Sequence, residues 1–144
     1  MLYLSGLIYC KAMWYRIKIS REINQQGIKK PVTEYYLTDA KNFAYAGLKV
    51  IDTIGKNIEV EDILLMKSYK PAINEYKQGN KVYIIKIAED MIDDNGNTKT
   101  LKYPMPVFAN NDAELYSIVK NFIKQGLNDM RLTTISETKW IFLS

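Results

Sequence analysis

The residues best equipped for chemistry in this 144-residue chain are its cations and aromatic rings, which fall side by side. Trp14-Tyr15-Arg16, Tyr69-Lys70, Tyr76-Lys77, Lys102-Tyr103 and Lys139-Trp140 each set a positive charge against a ring, and the chain holds eleven tyrosines. Lys and Arg neutralise phosphates, and aromatic faces stack unpaired bases at about 1–3 kcal/mol each, so this mixture suits sequence-tolerant binding of a single strand. The same residues also serve plain structural ends. Tyr favours strands, Lys discourages edge-to-edge pairing, and Trp14 and Trp140 can be ordinary packing. The net charge of +4 is modest, and the chain has no basic run of the kind that marks a nucleic-acid tail.

Other chemistries find little here. The chain has no histidine, which removes imidazole bases, His-dependent nucleophiles and the common zinc sites. The lone Cys10 cannot close an internal disulfide, in keeping with a reducing compartment. The seven glycines are scattered singly, so no phosphate-cradling loop is expected. Asp93, Asp94, Asn95 and Asn97 loosely resemble a calcium loop, but the glycine register and terminal Glu are missing, and a turn is the better reading. Glu59, Glu61 and Asp62 precede a strand, and Glu89-Asp90 closes one as a solvated edge. Only a meeting of dispersed carboxylates would give metal chemistry. The expectation is a non-enzymatic protein with no cofactor and no metal.

An internal repeat organises the chain. Tyr15–Glu22 lies over Tyr83–Asp90, the Gln25-Gln26-Gly27 turn over Asp94-Asn95-Gly96, and Ile63–Ile73 over Leu132–Phe142, with Lys70 matching Lys139 and Lys18 matching Lys86. Trp14–Ile23 alternates apolar and polar residues as a half-buried strand does, and Val82–Met91 has the same habit with more apolar content. Their partners are expected at Val32–Thr38 and Thr100–Ala109, where Pro104 and Pro106 ask for a sheet edge or a bulge. Leu115, Ile118, Val119 and Phe122 form one helical stripe behind an Asn111 cap and before Gly126. In the first copy the stripe is Ala44, Gly47, Leu48, Ile51 and Ile54 behind an Asp39 cap, with Gly47 marking a close approach. The fold class expected is α+β: two pseudo-symmetric ββαβ repeats, 13–76 and 77–144, sharing one mostly antiparallel sheet of about six strands. Both helices cover one face and leave the other exposed or in use. Asn74–Gly79 is the linker, too short to separate two domains, so 13–144 is read as a single domain. Met1–Ala12 is an apolar extension too short to span a bilayer and lacking the order of a secretory signal, so a cytoplasmic protein with no membrane role is expected.

Trp14-Tyr15 with its alternating lysines, Val32–Ala40, and the closing Ser136-Glu137-Thr138-Lys139 together resemble a small uncharacterised family, a domain of unknown function found in Bacteroidetes and their crAss-like phages. The resemblance covers Met13–Phe142 and rests on structural motifs; it implies a single-stranded DNA-binding role for phage members and transfers no catalytic residue. Phosphate contacts are assigned to Arg16, Lys18, Lys70, Lys86 and Lys139, and base stacking to Tyr36, Tyr69 and Trp140. The alternative is a protein-interaction or assembly module, pairing as a homo-oligomer or with another chain through the exposed sheet or the edge near Pro104 and Pro106.

Overall fold

The computed structural model describes residues 13–55, 57–67 and 69–144; the Met1–Ala12 extension lies outside them. Two long hairpins dominate, each closed where positive φ is tolerated. Gln26 (φ 55°) and Gly27 (φ 81°) join β1 (Met13–Gln25) to β2 (Ile28–Ala40). Between β4 (Lys81–Ile92) and β5 (Thr98–Ala109), Gly96 (φ 80°) turns the chain while the Asp93 carboxylate accepts the N–H groups of Asn95 and Asn97, both at 2.9 Å. Asp93 thus serves the turn, as its residue type suggested.

Each hairpin is followed by a helix and a strand: α1 (Phe43–Ile54) and β3 (Ile58–Leu65), then α2 (Asp112–Gln125) and β6 (Asp129–Glu137), before a last strand, β7 (Ile141–Leu143). The protein is mixed α+β, with two helices and seven strands among the described residues. The strands form two sheets, β3-β1-β2-β7 and β5-β4-β6, instead of the single sheet expected. The reason is local. Strands β1 and β4 each lie between two strands of their own copy, and the outer edges of β2 and β5 are taken by β7 and by the backbone of Lys70 and Ile73. All pairs are antiparallel except β2 with β7. Both β1 and β4 shift register against their third strand at the same repeat position, between Lys18 and Ile19 and between Lys86 and Ile87.

The packing divides into two compact units, Met1–Lys67 with Trp140–Ser144, and Ser68–Lys139. These bounds cut across the sequence repeats: the residues after β3 belong with the second unit and the last five with the first.

In the first unit Tyr15, Ile17, Ile19, Tyr36, Ala46, Val50 and Leu143 form the core. Helix α1 begins later than expected. Asn42, not Asp39, caps it, accepting the Tyr45 N–H at 2.9 Å, while Asp39 is still in β2 and pairs with Lys49. The inward face also differs from the expected stripe: Ala46 and Val50 are buried, whereas Leu48 and Ile51 stand 53% and 38% exposed. Gly47 does mark a close approach, with Ile63 Cδ1 3.4 Å from where a Cβ would sit. Thr38 is fully buried and donates to the Leu143 carbonyl at 2.8 Å, tying β7 to β2.

In the second unit Tyr83, Ile85, Ile87, Met105, Val107, Leu115 and Val119 form the core, with Ile118 and Phe122 packed against it, so the α2 stripe lies where its spacing put it. Asn111 caps α2 through the Glu114 N–H. Strand β5 is a sheet edge, as its prolines required. The carbonyls of Pro104 and Pro106 accept the N–H groups of Lys70 (3.0 Å) and Ile73 (3.4 Å). In a strand the N and C=O of one residue point the same way, so the missing proline N–H groups face this outer side and the β4–β5 ladder loses nothing. Asn74 completes the edge: its amide donates to the Phe108 carbonyl at 2.6 Å and its side-chain oxygen accepts the Phe108 N–H at 3.1 Å. The segment read as a linker is thus docked at its start, and the β5 edge offered above for pairing with another chain is already occupied.

The sheet faces away from the helices are not open along their length. Leu37 in the first unit and Val82, Ile84, Ala88 and Phe108 in the second lie on that side and are buried. The near-continuous apolar run of β4 is the sequence signature of burial on both faces. Among the described residues no helix is long and apolar enough to cross a membrane.

Asn74→Ala removes both bonds to the Phe108 backbone. Because Phe108 is buried, we expect a loss of about 1–3 kcal/mol in urea unfolding, with no change in secondary structure by circular dichroism.

Candidate nucleic-acid interface

Strand alternation puts Trp14, Arg16, Lys18 and Ser20 on the face of β1 opposite its buried Tyr15, Ile17 and Ile19. Across the ladder Lys18 faces Tyr35 on β2 and Asp62 on β3. The Arg16 guanidinium lies 5.2 Å from the Tyr35 ring centroid and 3.9 Å from the Asp62 carboxylate, and its Nε is buried without a hydrogen-bond partner. A cation over a ring is worth about 0.5–2 kcal/mol, depending on exposure, and leaves guanidinium N–H donors unspent. The first unit therefore holds a ring and two cations on one face, with Asp62 and Glu59 of β3 on the same side.

Tyr36 does not belong to that face. It is buried in the core beneath α1, donates to Glu34 at 3.3 Å, and burial raises its hydroxyl pKa above 10. Strand alternation turned it away, and Tyr35 is the neighbour that does lie beside Arg16 and Lys18. Trp140, half-buried, is the other first-unit member of the expected set.

The second unit contains Tyr69, Lys70, Lys86 and Lys139. Lys70 and Lys139 are exposed, Tyr69 is half-buried, and Lys86 is exposed at the register shift of β4. The Lys70 ammonium lies 5.1 Å from the Tyr103 ring centroid. Tyr103 donates to Glu89 Oε1 at 2.6 Å, and Asn128 donates to Glu89 Oε2 at 2.7 Å. The hydrogen bonds from Tyr103 and Asn128, with the positive charge of Lys70, hold the Glu89 carboxyl below its ordinary pKa. Burial and the bond to Glu89 push the Tyr103 hydroxyl up to about 12.

This cluster was missed from sequence. Glu89-Asp90 was read as a solvated edge, but β4 is the central strand, and Asp90 is held by Thr100 (2.6 Å) and Arg131 (2.6 Å). The Lys102-Tyr103 pair was the available signal; nothing local said that Tyr103 would reach back to β4. Among the described residues no group of three or more His, Cys, Asp or Glu is placed to hold a metal ion.

A family model described as Domain of unknown function (DUF4494) matches residues 13–142. The chain belongs to that family. No curated protein matches it. The DUF4494 match starts at the first residue of β1 and ends inside β7, so it spans both hairpins and every candidate residue named above.

Because the Glu89 pKa in this DUF4494 protein is lowered by folding, its network adds stability that is complete above the unfolded value, near 4.5, and is lost as pH falls through the lower folded value. Urea midpoints measured between about pH 6 and 3 should therefore fall more for the native protein than for Glu89→Gln, with the two curves converging at the acid end.

Proposed function

We propose that this protein binds single-stranded nucleic acid, DNA in the first instance, without catalysing a reaction. The observation that carries the reading is the Arg16–Tyr35–Lys18 face, where a half-buried guanidinium with unspent donors rests on a ring beside a second cation. The Lys70–Tyr103 pair supports it from the second unit, as do exposed Lys86 and Lys139. Cations hold the phosphates and the rings offer stacking surfaces, so affinity comes without a fixed sequence. Tyr35 replaces Tyr36 in the stacking set, with Tyr69 and Trp140 retained. The bacterial, phage-associated setting of this role rests on the resemblance.

Fluorescence anisotropy with labelled single-stranded and duplex oligonucleotides at about 50 and 200 mM salt tests the reading. Tighter binding of the single strand, weakening steeply with salt, is expected. Arg16→Ala and Lys70→Ala should each flatten the log–log salt slope by about 0.7, the contribution of one phosphate contact on a single strand. No binding at the lower salt overturns the proposal.

A second reading, a protein-interaction or assembly module, draws on α1. Its outward residues Phe43, Tyr45, Leu48 and Ile51 are 38–53% exposed on one 12-residue helix. If they meet another chain, sedimentation should show a concentration-dependent complex that salt barely alters and that Leu48→Lys dissolves.

A further inference from the structure

We infer that the pocket at the C-terminal end of α2 takes a guanine base of the bound strand, read by the Glu89 carboxylate. The inference rests on the strand-binding reading and adds base preference to it. The pocket has a volume of about 440 Å³, and Glu89, Tyr103, Phe122, Leu127, Asn128 and Met130 line it. That volume lies within the roughly 300–1,000 Å³ of ordinary small-ligand sites.

Its chemistry is selective. Glu89 Oε1 already accepts Tyr103 and Oε2 already accepts Asn128. An ionised carboxylate has about four lone-pair positions, so each oxygen keeps one acceptor position. A carboxylate with a position open on each oxygen is matched by a ligand carrying two adjacent N–H donors. Among the DNA bases only guanine has them adjacent on its pairing edge, at N1 and the exocyclic N2. Adenine, cytosine and thymine set an acceptor beside their donor, and a carboxylate repels it.

The surroundings fit a neutral base better than a second cation. Lys70 lies close enough to help keep Glu89 ionised, and a ligand guanidinium or ammonium would meet that positive charge. A guanine would not, and Lys70 would remain available to its phosphate. Phe122, Met130 and Leu127 supply apolar surface for the purine faces, Leu127 being wholly exposed at 102%. The first unit has lost this option. At the matching register positions Arg21 stands in place of Glu89 and Glu34 in place of Tyr103, and their 2.7 Å ion pair occupies the acid.

The test is anisotropy at fixed salt with three short strands: all dT, dT with one central dG, and dT with deoxyinosine at that position, which keeps N1–H but lacks the N2 amino group. The native protein is expected to bind the dG strand about tenfold more tightly than the other two, the discrimination typical of a bidentate pair. Glu89→Gln should erase that preference, read as the ratio of dG-strand to all-dT affinity within the variant. Equal affinity for dG and inosine strands, or a preference that survives in Glu89→Gln, overturns the guanine site and leaves strand binding standing. Failure to bind any of the three strands overturns both. The inosine comparison needs no variant, so it decides the matter even if Glu89→Gln fails to fold.

Discussion

An edge strand's outer N–H and C=O groups must find partners, and in this chain the end of one sequence repeat or the other closes the outer edge of each hairpin. In the first unit β7 pairs with Tyr36, Leu37 and Thr38 of β2. In the second, the residues from Lys70 to Asn74 cover Pro104, Pro106 and Phe108 of β5. The two solutions differ in chemistry. The first is a short parallel ladder reinforced by a buried threonine. The second runs one way only, N–H groups into proline carbonyls, and an asparagine side chain finishes what the prolines cannot. Each closing segment is the corresponding tail of the sequence repeat, so one device has been met by two side-chain sets.

With the edges closed, the difference between the units lies in what the hairpins display. Positions that align across the repeat have diverged from an Arg–Glu ion pair to a Glu–Tyr–Asn cluster, both built on the central strand and its hairpin partner. The Arg21–Glu34 pair is only partly buried, and ion pairs near the surface contribute little to stability, about 0–1 kcal/mol, so such a position can change its chemistry without disturbing the fold. The apolar positions beside it, Ile19 in one copy and Ile87 in the other, are both fully buried and do not vary in kind.

Much of this was legible in the residue pattern. The hairpins, their turns, the edge position of the proline strand, the α2 stripe and the close approach at Gly47 all follow from period, turn chemistry and the missing proline N–H. What escaped the pattern were decisions made by tertiary pairing. Whether two β-β-α-β copies merge into one sheet depends on which edges remain open, and periodicity is silent on that. The start of α1 turned on Asn42 against Asp39, two good capping residues three positions apart, and its apolar Leu48 and Ile51 face outward where spacing alone had put them inward. Of the candidate site, Arg16 and Lys18 were found by alternation, and the same alternation applied to β2 selects Tyr35 over Tyr36. Glu89 was missed because its partners Tyr103 and Asn128 are 14 and 39 residues away.

The second unit is one uninterrupted stretch, whereas the first is completed only by the final five residues. The bond from Thr38 to Leu143 spans 105 positions. On a ribosome adding about 5–20 residues per second, the second unit emerges whole while β2 still lacks its neighbour. The unit made first is thus completed after the second, and the outer edge of β2 waits through the synthesis of everything between. Closure of the first sheet follows the synthesis of β7, and a chain cut short between β3 and β7 has a first hairpin that stays unsealed.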